Sequence, residues 1–282
     1  MYIDSFAKIN FTLEILGKLN NEFHSISSLM HTVDLHDEIS INNSKILNIE
    51  TSQNTIKLEE NIIYKTILLV KNEFSVKKWV DVVIKKNIPL SAGLGGGSSN
   101  AAATLLSLNK LWKLKMNDNK LIEMGALLGS DVPFFINGGG AVVSGKGEII
   151  SPVSNCNFDE ILLIYPKNIF RSIENKTKYM YSRISNIHYT DGNFTENIIN
   201  NLSKISKLNF SNFHNPFFSV LCDESREFKD IISYLENQNI NKYFLSGAGP
   251  TIGVLDFKNK IDLDNISKNF NVDFFLVKNN ML

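Results

Sequence analysis

Cysteines, closely spaced histidines, net charge and long apolar runs are all scarce in this chain, and each scarcity narrows what it can be. The two cysteines, Cys156 and Cys222, lie far apart and form no C-x-x-C pair. A disulfide scaffold or zinc knuckle is thereby excluded. The five histidines form no H-x-x-x-H or H-E-x-x-H pair, so the sequence offers no histidine metal site. Lysine plus arginine and aspartate plus glutamate both number 29, and the formal charge is zero. That argues against the broad basic field by which a chain holds nucleic acid or an acidic membrane. The basic pairs Lys77-Lys78 and Lys85-Lys86 read as solvated surface. No apolar stretch approaches the roughly 18 residues needed to span a bilayer. Residues 1–6 lack the basic-then-apolar pattern of a secretory leader. A reduced, cytoplasmic protein is expected.

What is present suits a folded domain or two. The 282 residues are 43% hydrophobic and 21% charged, enough apolar material for a sizeable core. Residues 6–16 alternate: Ile9, Phe11, Leu13 and Ile15 share one face, and Lys8, Asn10, Thr12 and Glu14 the other. That is a strand with period two, and it sets Lys8 beside Asn10. Residues 61–74 carry Ile62, Ile63, Ile67, Leu68 and Val70 at helical spacing. Helices are also expected over 98–112 and 118–128, the latter with Asp118 as N-cap and Gly129 just beyond its end. Strands are expected over 81–85, 141–144, 160–165 and 273–277. The polar stretch 151–159, with Pro152, marks a boundary between domains at 1–153 and 154–282. Strands and helices interleave in both, which gives a mixed α+β class.

The most informative stretch is Pro89-Leu90-Ser91-Ala92-Gly93-Leu94-Gly95-Gly96-Gly97-Ser98-Ser99-Asn100-Ala101-Ala102. It leaves a strand and runs into a helix. Glycines permit positive φ and close approach of a ligand, and the free N–H groups of loop and first helical turn converge on an anion. Ser98 and Ser99 add hydroxyls for phosphate oxygens or Mg²⁺. The dinucleotide fingerprint fails because Ser98 stands where glycine is required. A second stretch, residues 140–147, nearly has the Walker A spacing, but Gly147 replaces the Mg²⁺-binding hydroxyl and the match is coincidental.

Three motifs together resemble the GHMP superfamily of small-molecule kinases along nearly the whole chain: Ala7-Lys8-Ile9-Asn10-Phe11, the glycine loop, and Ser246-Gly247-Ala248-Gly249-Pro250-Thr251. Within it the chain is most similar to the kinases of 4-diphosphocytidyl-2-C-methyl-D-erythritol. Four features favour that branch: the pair Phe23-His24, the triple glycine 95–97, the run Gly129-Ser130-Asp131-Val132-Pro133-Phe134-Phe135, and Gly147-Glu148 after the glycines of 138–140. Leu19, Asn21 and Glu22 depart from the branch's usual Arg, Asp and Gly, and Asn215-Pro216 stands where Asn-Asp is usual.

The resemblance implies a two-domain kinase fold with the site in the cleft between domains. It implies ATP as co-substrate with Mg²⁺, and a cytidine-linked methylerythritol as acceptor in the non-mevalonate route to isoprenoids. Lys8 and Asp131 would be the catalytic pair, Asp131 as base. Residues 89–99 would hold ATP, with Asn61 at the adenine and Ser99 as a metal ligand. Asn10, Phe23, His24, Gly247, Ala248 and Gly249 would contact the acceptor, and Phe170, Tyr179 or Tyr181 would supply a second aromatic for the cytosine. No nucleic acid, membrane or obligate protein partner is expected. Two readings compete: a sibling kinase acting on mevalonate, homoserine or a sugar, and a catalytically silent nucleotide-binding relative.

Overall fold

The computed structural model describes residues 1–19, 23–52, 57–154, 156, 158–170, 173, 175–202 and 210–280. Seven strands form the first sheet: β1 (Tyr2–Asn10), β2 (Glu14–Lys18), β3 (His24–Ser44), β4 (Asn48–Thr51), β5 (Trp79–Lys85), β6 (Gly140–Gly145) and β7 (Ile149–Pro152). The long strand β3 is its spine. It pairs antiparallel with β1, β2, β5 and β6 along different parts of its length. Among the described strand pairs of this sheet only β4 and β5 run parallel. Helices α1 (Ile62–Phe74), α2 (Gly96–Leu111), α3 (Asp118–Leu128) and α4 (Val132–Asn137) accompany this sheet.

The rest of the chain gives β8 (Glu160–Pro166), α5 (Lys176–Ser182), α6 (Asn193–Ile199), α7 (Phe217–Glu224), α8 (Arg226–Asn237), β9 (Tyr243–Leu245), β10 (Ile252–Val254), α9 (Leu263–Asn269) and β11 (Val272–Lys278). Its four strands form a second, antiparallel sheet in the order β11-β8-β10-β9. The architecture is α+β with two domains, as expected. Two apolar cores hold it together, and each draws residues from both halves of the chain. Among the described residues no helix is long and apolar enough to cross a membrane.

The expected strand over 6–16 is two strands. β1 ends at Asn10: the Phe11 amide still donates to Leu29 O on β3, but the Leu13 amide turns away to His214 O. The ring of Phe11 is buried against Phe158, Phe213 and Phe244. The alternation survives the break, yet its polar face does not meet water: Lys8, Asn10, Thr12 and Glu14 are all buried.

Two further expectations are corrected. Lys86 is not solvated surface: its ammonium is buried on Asp37, which is itself wholly buried, and it also reaches Asn100 Oδ1 at 3.0 Å. Lys85 alone stays exposed, paired with Glu38. In α3 the cap is Asn117, whose side chain accepts from the Lys120 amide, while Asp118 is the first helical residue.

Candidate active site

A cleft of about 820 Å³ opens between the glycine loop, α4, the β2–β3 hairpin, α5 and the late glycine turn. At its floor is Lys8. Its amide donates to Leu94 O at 2.9 Å, which stitches β1 to the glycine loop. Its ammonium donates to Asn10 Oδ1 and lies 3.8 Å from a carboxylate oxygen of Asp131. Burial pushes the proton affinity of Lys8 down, and the Asp131 charge partly restores it. Asn10 is fixed in turn: its Nδ2 donates to Ser28 Oγ at 2.8 Å, and Ser28 donates to Thr12 O. The buried polar face of β1 is therefore a bonded chain that aims the amine.

Asp131 occupies the N-cap position of α4 but makes no capping bond with its side chain. Pro133 lies in that helix's first turn, where a missing N–H costs nothing. The carboxylate is left facing the cleft, 39% exposed.

Gly95 precedes α2 at φ 71°, and the helix's first turn points into the cleft. Gly93 is required by crowding as well as by its φ of 84°: a Cβ there would stand 2.3 Å from Ser246 O and 2.8 Å from Gly249 O. The glycine loop and the late turn are thus packed backbone to backbone. Ser246 Oγ donates to Gly93 O at 3.0 Å, and the buried Asn215 donates to Leu245 O and Gly247 O. Asn215, beside the unusual Pro216, holds the turn in place.

One residue of helical phase separates the two loop serines. Ser98 lines the cleft. Ser99, expected at phosphate and metal, is turned inward; it is 2% exposed and its hydroxyl accepts from Ser5 at 2.7 Å. Successive helical residues lie about 100° apart, so both cannot face one ligand. Asn61, expected at the adenine, does not line the cleft: its Oδ1 accepts from the Ile63 amide and caps α1.

The far end of the cleft is aromatic. Phe23, 49% exposed, stands at the hairpin tip with the Lys146 ammonium 5.4 Å from its ring centroid. His24 stacks on Tyr181, with ring centroids 5.3 Å apart and planes at 28°. Tyr181 in turn sits edge-on to Phe217 at 4.9 Å. Burial and the nearby Asp131 charge push the Tyr181 hydroxyl's pKa up, so it remains a neutral donor. Of the three aromatic candidates, only Tyr181 lines the cleft. Tyr179 is engaged with Glu224, and Phe170 packs against Tyr179. Leu19 lies at the hairpin, its amide donating to Phe23 O; Asn21 and Glu22 lie outside the described residues.

Residues 61–139 match the family described as GHMP kinases N terminal domain. The 4-diphosphocytidyl-2-C-methyl-D-erythritol kinase of Prochlorococcus marinus (strain MIT 9301) is 38% identical, over 88% of this chain and 83% of the relative. The enzyme of that name from Clostridioides difficile (strain 630) is 35% identical, over 92% and 88%. The chain belongs to the 4-diphosphocytidyl-2-C-methyl-D-erythritol kinase family. A crystal structure of 4-(cytidine 5'-diphospho)-2C-methyl-D-erythritol kinase superposes with a TM-score of 0.78, covering 99% of this chain and 100% of that one. At 20% identity that likeness speaks for the fold. Family membership makes this chain an ATP-dependent small-molecule kinase.

In this kinase sequence reading left Tyr181 unranked and missed, among other cleft residues, Lys86 and Lys176. Tyr181 was one of three equal candidates, and nothing in the pattern of α5 distinguishes it. Lys86 read as half of a surface pair, although its place just before the glycine loop was a usable signal. Lys176 carried no signal, because only the fold brings it to the loop.

Proposed function

We propose that this kinase transfers the γ-phosphoryl group of ATP to the 2-hydroxyl of 4-diphosphocytidyl-2-C-methyl-D-erythritol. The observation that carries the reading is the joining, in one cleft, of Lys8 and Asp131 beside the glycine loop with Phe23, His24 and Tyr181 at the other end. With domains at 1–153 and 154–282, the glycine loop would fall in one unit and Tyr181 in the other.

Asp131 accepts the proton of the acceptor hydroxyl as the new P–O bond forms. The bond between the γ-phosphorus and the β–γ bridging oxygen breaks, and ADP leaves with the electron pair. Phosphoryl transfer asks mainly for alignment and charge neutralisation. Lys8, fixed by Asn10, supplies positive charge beside the transferring group. The N–H groups at the start of α2 and the hydroxyl of Ser98 hold phosphate oxygens. Phe23 and Tyr181 give the cytosine flat faces, and His24 reads its edge.

Mg²⁺ fits this donor set as an ion held chiefly by ATP. Among the described residues no three His, Cys, Asp or Glu side chains are grouped for a metal, and Mg²⁺ commonly relies on phosphate oxygens and water. Ser98, which lines the cleft, would add a ligand to it, and the ion would supply neutralisation of phosphate charge.

ADP release with the cytidine compound, and none with mevalonate, homoserine or galactose, is the expected result. Turnover with one of those acceptors in its place would overturn the choice of substrate.

A further inference from the structure

Lys176 is the first residue of α5 and is only 6% exposed, yet it has no carboxylate partner among the described residues. Its amine donates to Ser91 O at 2.8 Å and also to Gly249 O. Ser91 belongs to the glycine loop and Gly249 to the late turn, so one side chain from the second half of the chain ties the two together. It lines the cleft, and the charged group felt most there is Lys8, a like charge. The facing elements offer Lys8 from β1, Lys86 before the loop, Asp131 before α4, Lys146 after β6 and His24 from β3. Asp131 is the only carboxylate among the described cleft residues, and Lys8 already holds it.

A cation so placed lacks a counter-charge until an anion arrives. An ammonium has three N–H groups. The two carbonyls use two, and the third has no acceptor among the described residues. A neutral amine has only two N–H groups, enough for the carbonyls alone. We propose that Lys176 is a positioning residue for phosphoryl transfer: it locks the glycine loop to the late turn, and its third N–H binds a phosphate oxygen of the nucleotide. The proposal deepens the kinase reading above and rests on it. Burial and Lys8 pull the lysine's pKa down to about 7, so phosphate binding brings a proton with it.

Isothermal titration with Mg²⁺ and a non-hydrolysable ATP analogue, at about pH 8 in buffers of different ionisation enthalpy, counts that proton. The wild type is expected to take up close to one proton, and Lys176→Met none. Lys176→Arg, which stays charged, is also expected to take up none but to bind the analogue. In turnover, Lys176→Met should lower kcat about 10- to 100-fold, as misalignment does, with a smaller change in KM for the acceptor. Lys176→Arg should recover much of kcat. Equal proton uptake by wild type and Lys176→Met would overturn the proposal, as would uptake by neither. If Lys176→Met does not fold, full uptake by Lys176→Arg would overturn it equally. The titration needs no acceptor: a wrong acceptor assignment would appear as missing turnover by the wild type with proton uptake intact.

Discussion

Lys8 and Lys176 are buried in the same cleft, and burial lowers the proton affinity of both. For Lys176 the sign of the pH effect follows from linkage. Its folded-state pKa is about 7, against 10.5 ordinarily. Between those values the unfolded chain binds more protons than the folded one, so stability rises with pH. Urea unfolding of the wild type should therefore gain stability from pH 7 to 9 relative to Lys176→Met, with no such difference developing between pH 5 and 6. Parallel curves throughout would show that Lys176 titrates normally. At Asp131, loss of the base should cost about 10²–10⁴ in kcat; Asp131→Asn with normal circular dichroism and unaltered ADP release would remove it from that role. Phe23→Ala should raise the acceptor KM by roughly the 1–3 kcal/mol that base stacking is worth, with KM for ATP little changed. An unmoved acceptor KM would reject the stacking role.

At the scale of elements, the cleft depends on two glycine segments held in backbone contact. Gly247 stands at φ 54°, and a Cβ there would lie 2.9 Å from Lys8 Nζ and 2.9 Å from Gly93 O. Gly247→Ala should thus displace the amine and depress kcat; full activity in that variant would show that the turn yields freely. Beneath the loop, Asp37 accepts from Lys86, from Asn100 and from the amides of Asn87 and Ile88. Breaking such a buried pair typically costs 3–5 kcal/mol, so Asp37→Ala should lower the urea midpoint by about that much stability. The positions of α1, α2, β8 and β11 were legible because apolar spacing and end residues record local conformation. The buried polar face of β1 was not: alternation reports that two faces differ, and only tertiary packing decides what each one meets. The same limit misread Ser99 and Lys86. A one-residue turn of helix, or a carboxylate delivered by a distant strand, leaves no trace in local pattern.

For the whole molecule, the fold class was legible because three glycine or lysine motifs occur in order, and each requires a particular backbone. The second half of the cleft was much less so. Tyr181 reaches His24, and Lys176 reaches Ser91 across 85 residues of sequence, through contacts that no spacing rule anticipates. The two halves are bound further by Thr12 to Thr195 at 2.8 Å, and by Glu14, which accepts from the Thr195 amide at 2.7 Å. These ties surround the site, so its two ends are positioned by the shared core. The central claim is that this cleft phosphorylates a cytidine-linked acceptor with Asp131 as base. The most direct test is ADP release from Mg·ATP with 4-diphosphocytidyl-2-C-methyl-D-erythritol, beside mevalonate, homoserine and galactose, for wild type and Asp131→Asn. Turnover with the cytidine compound alone, lost in the variant, is the predicted result. Turnover with a different acceptor, or undiminished turnover in Asp131→Asn, would contradict it.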